Sequence, residues 1–286
     1  MDMMASCNEQ PCNCRPTHAF PRGASEEAPL KIATFNVNNV NKRLPVLLGW
    51  LKAAKPDIVC LQELKAAQDD FPEAALLKAG YSAAWVGQKT WNGVAILARK
   101  RAEIVVTRRA LPGDAKDLQS RYLEAAVAGM IVGCLYAPNG NPQPGPKFQY
   151  KLAWMKRLNR HAAKLLKSGV PVVLAGDFNV VPTPADIYPT RSWDKDALLQ
   201  PEPRALFAAL LKQGWTDALR ALHPEQAPYT FWTYWRNRFE RDHGLRIDHL
   251  LLDPASAQRL ARGGVDRAIR GAPDASDHAP AWIVLK

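Results

Sequence analysis

Six short apolar runs, spread over most of the chain and each flanked by polar residues, set the strongest limit on how this sequence folds. Residues 31–35 lead to Asn36, 57–62 to Glu63, 130–135 to Tyr136, and 170–176 to Asp177 and Asn179. Asp248 lies inside the run 245–250, and Asp277 and His278 precede the closing run 281–285. Buried strands bring their ends to a common sheet edge, so carboxylates, amides and an imidazole placed there converge although they are far apart in sequence. A metal-dependent hydrolase is built in this way.

With 286 residues, 47% of them hydrophobic, the chain can form one large core or two small ones. No linker-like stretch separates the polar residues, so one catalytic domain over residues 30–286 is expected. Residues 1–29 read as a disordered tail, with recurrent proline, small polar residues and no apolar period. Cys7, Cys12, Cys14 and His18 in that tail match no common zinc spacing. The net charge is +11, and the tail carries more acids than bases, so the body is more basic still. A basic body with acidic site residues suits a polyanionic substrate: the distant field attracts phosphate while the carboxylates hold a cation.

Cys60 and Cys134 lie inside apolar runs, where a reduced thiol packs well, and this points to the cytosol. No apolar run reaches the roughly 18 residues that span a bilayer, and the N-terminus lacks a signal-peptide core, so no membrane partner is expected.

Strand-like and helical patterns alternate from Leu30 onward, the mark of an α/β architecture. Residues 43–54 form an expected helix, ended by Lys55-Pro56, and 147–167 another, with apolar residues at three- and four-residue intervals and Gly169 as its stop. Between 93 and 136 the pattern changes to consecutive strands over 94–98, 102–107, 121–127 and 130–135. Their connections leave little room for crossover helices, so sequential neighbours are expected to pair antiparallel. A mixed sheet disfavours a simple doubly wound fold and favours two packed sheets with helices outside. Residues 182–203 read as a long loop.

Phosphodiester hydrolysis needs a nucleophilic water, stabilised charge on the phosphoryl oxygens and help for the leaving oxyanion. Glu63 is a hard oxygen ligand suited to Mg²⁺. In Gly176-Asp177-Phe178-Asn179 the glycine is expected to allow a tight turn, with a carboxylate to take a proton from water and an amide to orient water or phosphate. His278 can donate to a phosphate oxygen, with Asp248 fixing its tautomer. Tyr136 opens Tyr136-Ala-Pro-Asn-Gly140, a turn that can aim the phenol at a leaving group or phosphate. No phosphate-binding glycine loop, Cys-x-x-Cys pair or nucleophile elbow is present, which disfavours nucleoside triphosphate, serine and cysteine mechanisms.

Phe35-Asn-Val-Asn38, Leu61-Gln-Glu63, Trp91-Asn-Gly-Val-Ala-Ile-Leu97, Tyr136-Ala-Pro-Asn139, Gly176-Asp-Phe-Asn179, Gly244-Leu-Arg-Ile-Asp248 and Ser276-Asp-His278 stand in one order. In that order and spacing the chain resembles the exonuclease III family of abasic-site endonucleases, within the endonuclease/exonuclease/phosphatase superfamily, over about residues 30–286. The resemblance implies an α/β fold, a four-layer αββα sandwich of two mixed sheets flanked by helices, with the site at one end. It places Asn36 and Glu63 at the metal, Mg²⁺ with Mn²⁺ as a substitute. It makes Asp177 the residue that activates or positions water, with Asn179 beside it, and has His278, oriented by Asp248, contact the scissile phosphate. Tyr136 and Asp277 complete the metal and phosphate shell, to which Asp177, Asn179 and His278 also belong. The implied partner is double-stranded DNA, abasic or with 3′ ends, and the implied state is a monomer.

Tyr229-Thr-Phe-Trp-Thr-Tyr-Trp235, followed by Arg236, Arg238 and Arg241, interleaves aromatic and basic residues, a combination that fills a gap in a base stack while gripping phosphates. By the resemblance Phe231, Leu245 and Ile247 line a pocket for the abasic sugar, and Trp235 stands near the wedge position. Leu245 departs from relatives that carry an aromatic there, and Asn39 from those with glycine. Arg43, Lys65 and Lys89 are further phosphate-contact candidates. The alternatives are an inositol phosphate or lipid phosphodiesterase or phosphatase of the same superfamily, or a nucleic-acid-binding module without catalysis.

Overall fold

The computed structural model describes residues 29–100, 102–226 and 228–286. The cysteine-bearing tail therefore lies outside the described residues, apart from Pro29.

Among the described residues, twelve strands form two six-stranded sheets. The first contains β1 (Leu30–Asn36), β2 (Ile58–Gln62), β3 (Tyr81–Val86), β4 (Val94–Arg99), β11 (Leu260–Val265) and β12 (Ala281–Leu285), in the order β11-β12-β1-β2-β4-β3. The second contains β5 (Val105–Arg108), β6 (Tyr122–Val127), β7 (Met130–Tyr136), β8 (Val172–Asp177), β9 (Thr216–Asp217) and β10 (Asp248–Leu252), in the order β5-β6-β7-β8-β10-β9. The α-helices among the described residues are α1 (Leu44–Ala54), α2 (Glu73–Lys78), α3 (Pro146–Leu165), α4 (Pro201–Lys212), α5 (Ala218–Leu222) and α6 (Pro254–Gln258).

Both sheets are mixed: each holds one parallel pair among the described residues, β1–β2 in the first and β7–β8 in the second. Their connections contain α1 and α3 respectively, long enough to return the chain to the same end of the sheet. Strand periodicity distributes the side chains among three cores. Ile32, Ile58, Cys60 and Ile96 meet Leu123, Val132, Cys134 and Val173 between the sheets. The alternate residues Phe35, Val59, Leu61 and Leu97 pack with Leu47, Trp50 and Leu76 of α1 and α2. Tyr122, Leu135 and Leu174 pack with Trp154, Leu158, Phe207 and Leu210 of α3 and α4. The strands are apolar on both faces because each sheet is covered on both faces, which gives the αββα order expected.

One expected pairing is wrong. The runs 94–98 and 102–107 are not sheet neighbours: β4 lies between β2 and β3, whereas β5 pairs with β6 in the other sheet. Both hydrogen-bonding edges of β4 are occupied, and Ala102 and Ile104 pack against the core between the sheets as the chain steps across. The expected antiparallel pairing of β6 with β7 is present. Gly176 also serves a different purpose from the turn expected of it. A Cβ there would lie 1.9 Å from the Leu135 carbonyl oxygen, so glycine permits close approach of β7 and β8. Among the described residues, no helix is long and apolar enough to cross a membrane.

Candidate active site

The ends of β1, β2, β7 and β8 meet the beginnings of β10 and β12 at one edge of the sandwich. Asp177 is the register partner of both Tyr136 and Asp248, so the second sheet alone places three of the polar residues side by side. Asn36 joins the sheets: its Nδ2 donates to Glu63 Oε1 and to Asp177 Oδ2, each at 3.0 Å. Tyr136 donates its phenol to Glu63 Oε1 at 2.7 Å.

Asp248 Oδ2 lies 2.8 Å from His278 Nδ1, while His278 Nε2 is 3.9 Å from Asp177 Oδ2. Ser276 ties this segment to β1 by donating to the Asn36 carbonyl at 2.7 Å, and its hydroxyl accepts the His278 backbone N–H at 3.2 Å. Asp277 accepts from Asn38 Nδ2 at 3.0 Å. Asn179 donates its backbone N–H to Asp177 Oδ1 at 2.8 Å and its side-chain amide to the Ala137 carbonyl at 2.9 Å. Several of these residues occupy the left-handed backbone region that non-glycine residues rarely adopt: Asn38 (φ 46°), Glu63 (φ 53°), Lys65 (φ 48°) and Asn179 (φ 49°). Such concentrations of local strain are characteristic of functional sites.

Burial, followed by the Asp248 charge, raises the Asp177 pKa to about 7, against the opposing effects of His278 and the Asn179 N–H. Burial alone would lower His278, but the Asp248 charge and hydrogen bond, with Asp177 and Asp277, outweigh it and raise its pKa to about 10. His278 is therefore an imidazolium at neutral pH and a hydrogen-bond donor. Burial works to raise Glu63, but the Lys65 charge and bonds from Asn36, Lys65 and Tyr136 prevail and hold its carboxyl below the ordinary value. Burial and the Glu63 and Asp177 charges push the Tyr136 phenol well up, so it remains protonated.

Two groups could hold a cation. Donor atoms of Asp177, Asp248 and His278 all lie within 4.8 Å of one another, and the buried Asp248 Oδ1 has no hydrogen-bond partner. The second is Glu63 with its neighbour Asn36, and with Asp277 linked to it through Asn38 and Lys65. There the Lys65 ammonium already sits 2.8 Å from Glu63 Oε2 and 2.7 Å from Asn38 Oδ1, so positive charge is accommodated at these oxygens. Glu63 is the better match to a hard divalent cation, because its carboxylate is held ionised, whereas burial favours the protonated form of Asp177.

The aromatic segment divides in two. Phe231 belongs beside the acids: its ring centroid is 4.9 Å from that of His278, and its backbone bridges Leu245 and His278. Leu245 and Ile247 are buried with Val181, Tyr188 and Leu198 in the cluster against which Phe231 packs. Trp235, 75% exposed, and Arg236, also exposed, contribute no contact to the acid cluster. Arg238 is engaged elsewhere, bonded to the Tyr188 hydroxyl and placed over its ring. Arg43 is buried and donates to the Tyr234 hydroxyl at 3.1 Å, whereas Lys89 is exposed.

The sequence assigned no role to Asn38, Asn139 or Lys151. Asn38 links Lys65 to Asp277, and Asn139 Nδ2 reaches Asn179 Oδ1 at 3.3 Å. The buried Lys151 donates to the carbonyls of Asn139 and Asn179, and burial lowers its pKa to about 7 against the Asp177 and Asp196 charges. The two asparagines stand within quoted motifs, which was the available signal; the lysine's signal was its spacing, three residues after Phe148 and four before Met155, which places it on the apolar stripe of the helix.

The geometry has close counterparts. The chain is 30% identical to the exodeoxyribonuclease III of Haemophilus influenzae over 269 residues, which cover 90% of this chain and 100% of that one. A structure of a 3′ phosphatase from Neisseria bound to a product DNA hairpin is similar at a TM-score of 0.85 and 40% identity, covering 90% of this chain and 99% of the other. An AP endonuclease from Archaeoglobus fulgidus is similar at a TM-score of 0.85 and 36% identity, again covering 90% and 99%. Residues 33–278, which carry every acid and amide described above together with His278, match the endonuclease/exonuclease/phosphatase family, and this chain belongs to it.

Proposed function

We propose that this chain is a Mg²⁺-dependent DNA-repair phosphodiesterase that cuts duplex DNA 5′ of abasic sites and removes nucleotides and blocking groups from 3′ ends. The observation that carries this reading is the placement of Asp177 between two unlike partners. On one side Asn36 links it to the ionised Glu63, and on the other the His278 imidazolium stands 3.9 Å away. A base is thereby set beside a cation-binding pole and a charged donor, the three requirements of phosphodiester hydrolysis. The relatives' names, exodeoxyribonuclease III, AP endonuclease and 3′ phosphatase, support the choice of DNA. So do the net charge of +11 and the exposed Trp235-Arg236 tip, which suit a polynucleotide better than an inositol phosphate or a lipid head group.

Glu63, Asn36 and Asp277 would hold the Mg²⁺, and Mn²⁺ has the same preference for oxygen. When bound, the ion supplies positive charge to the phosphoryl oxygens and the leaving group. Asp177 takes a proton from water as the new O–P bond forms and the P–O3′ bond breaks, leaving a 3′ hydroxyl once the departing oxygen is protonated. His278, oriented by Asp248, donates to a non-bridging phosphate oxygen. Asn179 helps to orient the water or the phosphate, and Tyr136 donates to the phosphate or leaving group. Phe231, supported by Leu245 and Ile247, forms the wall against the sugar next to the scissile phosphate. Trp235, Arg236 and Arg238 grip the duplex farther out, with Arg238 released from Tyr188 on binding. A monomer suffices, since one chain carries all these groups. A cytosolic location agrees with the free, buried Cys60 and Cys134.

Cleavage of an end-labelled duplex with one central abasic-site analogue, beside an undamaged duplex with a recessed 3′ end, tests the reading in Mg²⁺ and in chelator. Metal-dependent incision at the lesion and shortening from the 3′ end are expected. No cleavage of either duplex would reject it.

The ionisation states also predict a bell-shaped pH dependence of kcat/KM. Activity should rise through about pH 7 as Asp177 loses its proton, and fall toward about pH 10 as His278 loses its own. An activity that does not change between about pH 6 and about pH 8 would remove Asp177 as the base.

A further inference from the structure

Lys151 is fully buried in α3, and its Nζ donates to two backbone carbonyls, Asn139 O at 2.9 Å and Asn179 O at 2.5 Å. Among the described residues, no carboxylate lies within ion-pair distance of it. Burying a lysine head without an acidic partner costs several kcal/mol, and leucine or methionine would fill a similar volume without that cost. The surroundings are nevertheless shaped to admit it. Gly140 has φ 93°, and a Cβ there would stand 2.6 Å from Lys151 Cδ, so the turn after Asn139 is bare where the lysine stem passes.

The two carbonyls belong to different loops, one following β7 and the other following β8. Asn139 Nδ2 connects the same loops through Asn179 Oδ1 at 3.3 Å. Asn179 holds the left-handed conformation, φ 49°, while its N–H supports Asp177 Oδ1 at 2.8 Å. A displaced Asn179 carbonyl therefore moves the donor that fixes the Asp177 carboxylate.

We propose that Lys151 is a positioning residue for the phosphodiesterase site, clamping the Asn139 and Asn179 carbonyls so that the Asn179 backbone and side-chain amides stay fixed beside Asp177. This role rests on the reading of Asp177 as the base. The lysine acts through the peptide units of both loops and touches neither DNA nor the reacting atoms.

Lys151→Met and Lys151→Arg variants of the full chain test the role, with steady-state cleavage of the abasic duplex and backbone hydrogen exchange measured without DNA. Lys151→Met is expected to lower kcat by about 100-fold, the scale of a misplaced catalytic group, with KM changed by less than about two-fold. Lys151→Arg retains donors for both carbonyls and is expected to recover at least about a tenth of normal kcat. Exchange should quicken at residues 137–140 and 178–181 in the methionine variant while β2 and the rest of α3 keep their protection. Normal kcat in the methionine variant, an arginine variant no better than methionine, or exchange rising evenly across α3 and both sheets would each overturn the proposal. If Lys151→Met does not fold, Lys151→Leu, which likewise has no donor, takes its place and is judged by the same outcomes. If the unsubstituted protein cleaves neither duplex, the functional reading fails by itself and the exchange pattern alone decides the clamp.

Discussion

Asp177→Asn is expected to lower turnover by about 100-fold or more, the scale of losing a positioned general base, while DNA affinity in Mg²⁺ stays nearly unchanged. The substitution keeps volume but reverses one contact. Asn179 N–H donates to Oδ1 and Asn36 Nδ2 donates to Oδ2, so an amide that satisfies Asn179 turns its own donor toward Asn36. Stability should not fall in parallel. The raised pKa means that Asp177 opposes folding by an amount that grows as pH rises from the ordinary carboxylate range and is full above about pH 7, because burial and Asp248 disfavour its charge. A neutral amide removes that opposition, and the thermal midpoint at neutral pH is expected to hold or rise even though activity is lost. Single-turnover cleavage and thermal unfolding of the same preparation separate the two effects. A variant that retains more than about a tenth of normal turnover would reject the base role.

The second large effect lies outside the site, in a buried charge network behind it. Arg246 is 1% exposed and binds Asp186 Oδ1 through Nε at 2.7 Å and Asp217 Oδ2 through Nη1 at 2.8 Å. Burial works to raise both carboxyls, but Arg246 outweighs it and keeps them below their ordinary values. Arg246→Met conserves most of the volume and leaves Asp217 without its guanidinium partner, so unfolding free energy is expected to fall by about 3–5 kcal/mol. The sign of the pH dependence follows from linkage. Carboxyls held low in the folded protein contribute stability above the unfolded pKa near about 4, and lose it as pH falls toward their folded values. The deficit of Arg246→Met should therefore be full at neutral pH and shrink as the pH falls below about 4. Urea unfolding at several pH values measures it; a loss below about 1 kcal/mol at neutral pH would show that Arg220, which also binds Asp186, and His249 suffice to compensate.

This network explains why residues 182–203 do not behave as an ordinary surface loop. Asp186 is fully buried within that stretch, and its backbone carbonyl accepts the Arg246 N–H at 2.8 Å, two residues before Asp248. The loop is thereby anchored to the chain that leads into the His278-orienting carboxylate. Proline and charge content alone read as solvent-exposed here, because the partners Arg246 and Asp217 are distant in sequence and carry no mutual pattern.

Asn36, Glu63, Asp177, Asp248 and His278 were legible for a physical reason. Each interrupts, ends or shortly precedes an apolar run, and a polar group at the end of a buried strand has few places to go except the sheet edge. The helices and the antiparallel β6–β7 hairpin were legible because periodicity and a short connection are local properties. The placement of β4 and β5 in different sheets was not, since strand pairing is decided by which edges the remaining chain has already filled. Nor was the folding of Arg238 onto Tyr188, which withdraws one expected phosphate contact in the unbound protein.

The sequence by itself determined the layered α/β architecture and the set of acids, amides and histidine brought to one end of it. Only the tertiary structure decided their states: Asp177 near half-protonation at neutral pH, His278 charged, Glu63 ionised, and Lys151 buried against two carbonyls. Periodicity is written along the chain, whereas ionisation depends on desolvation and on charges that fold to within a few ångströms from residues far away in sequence.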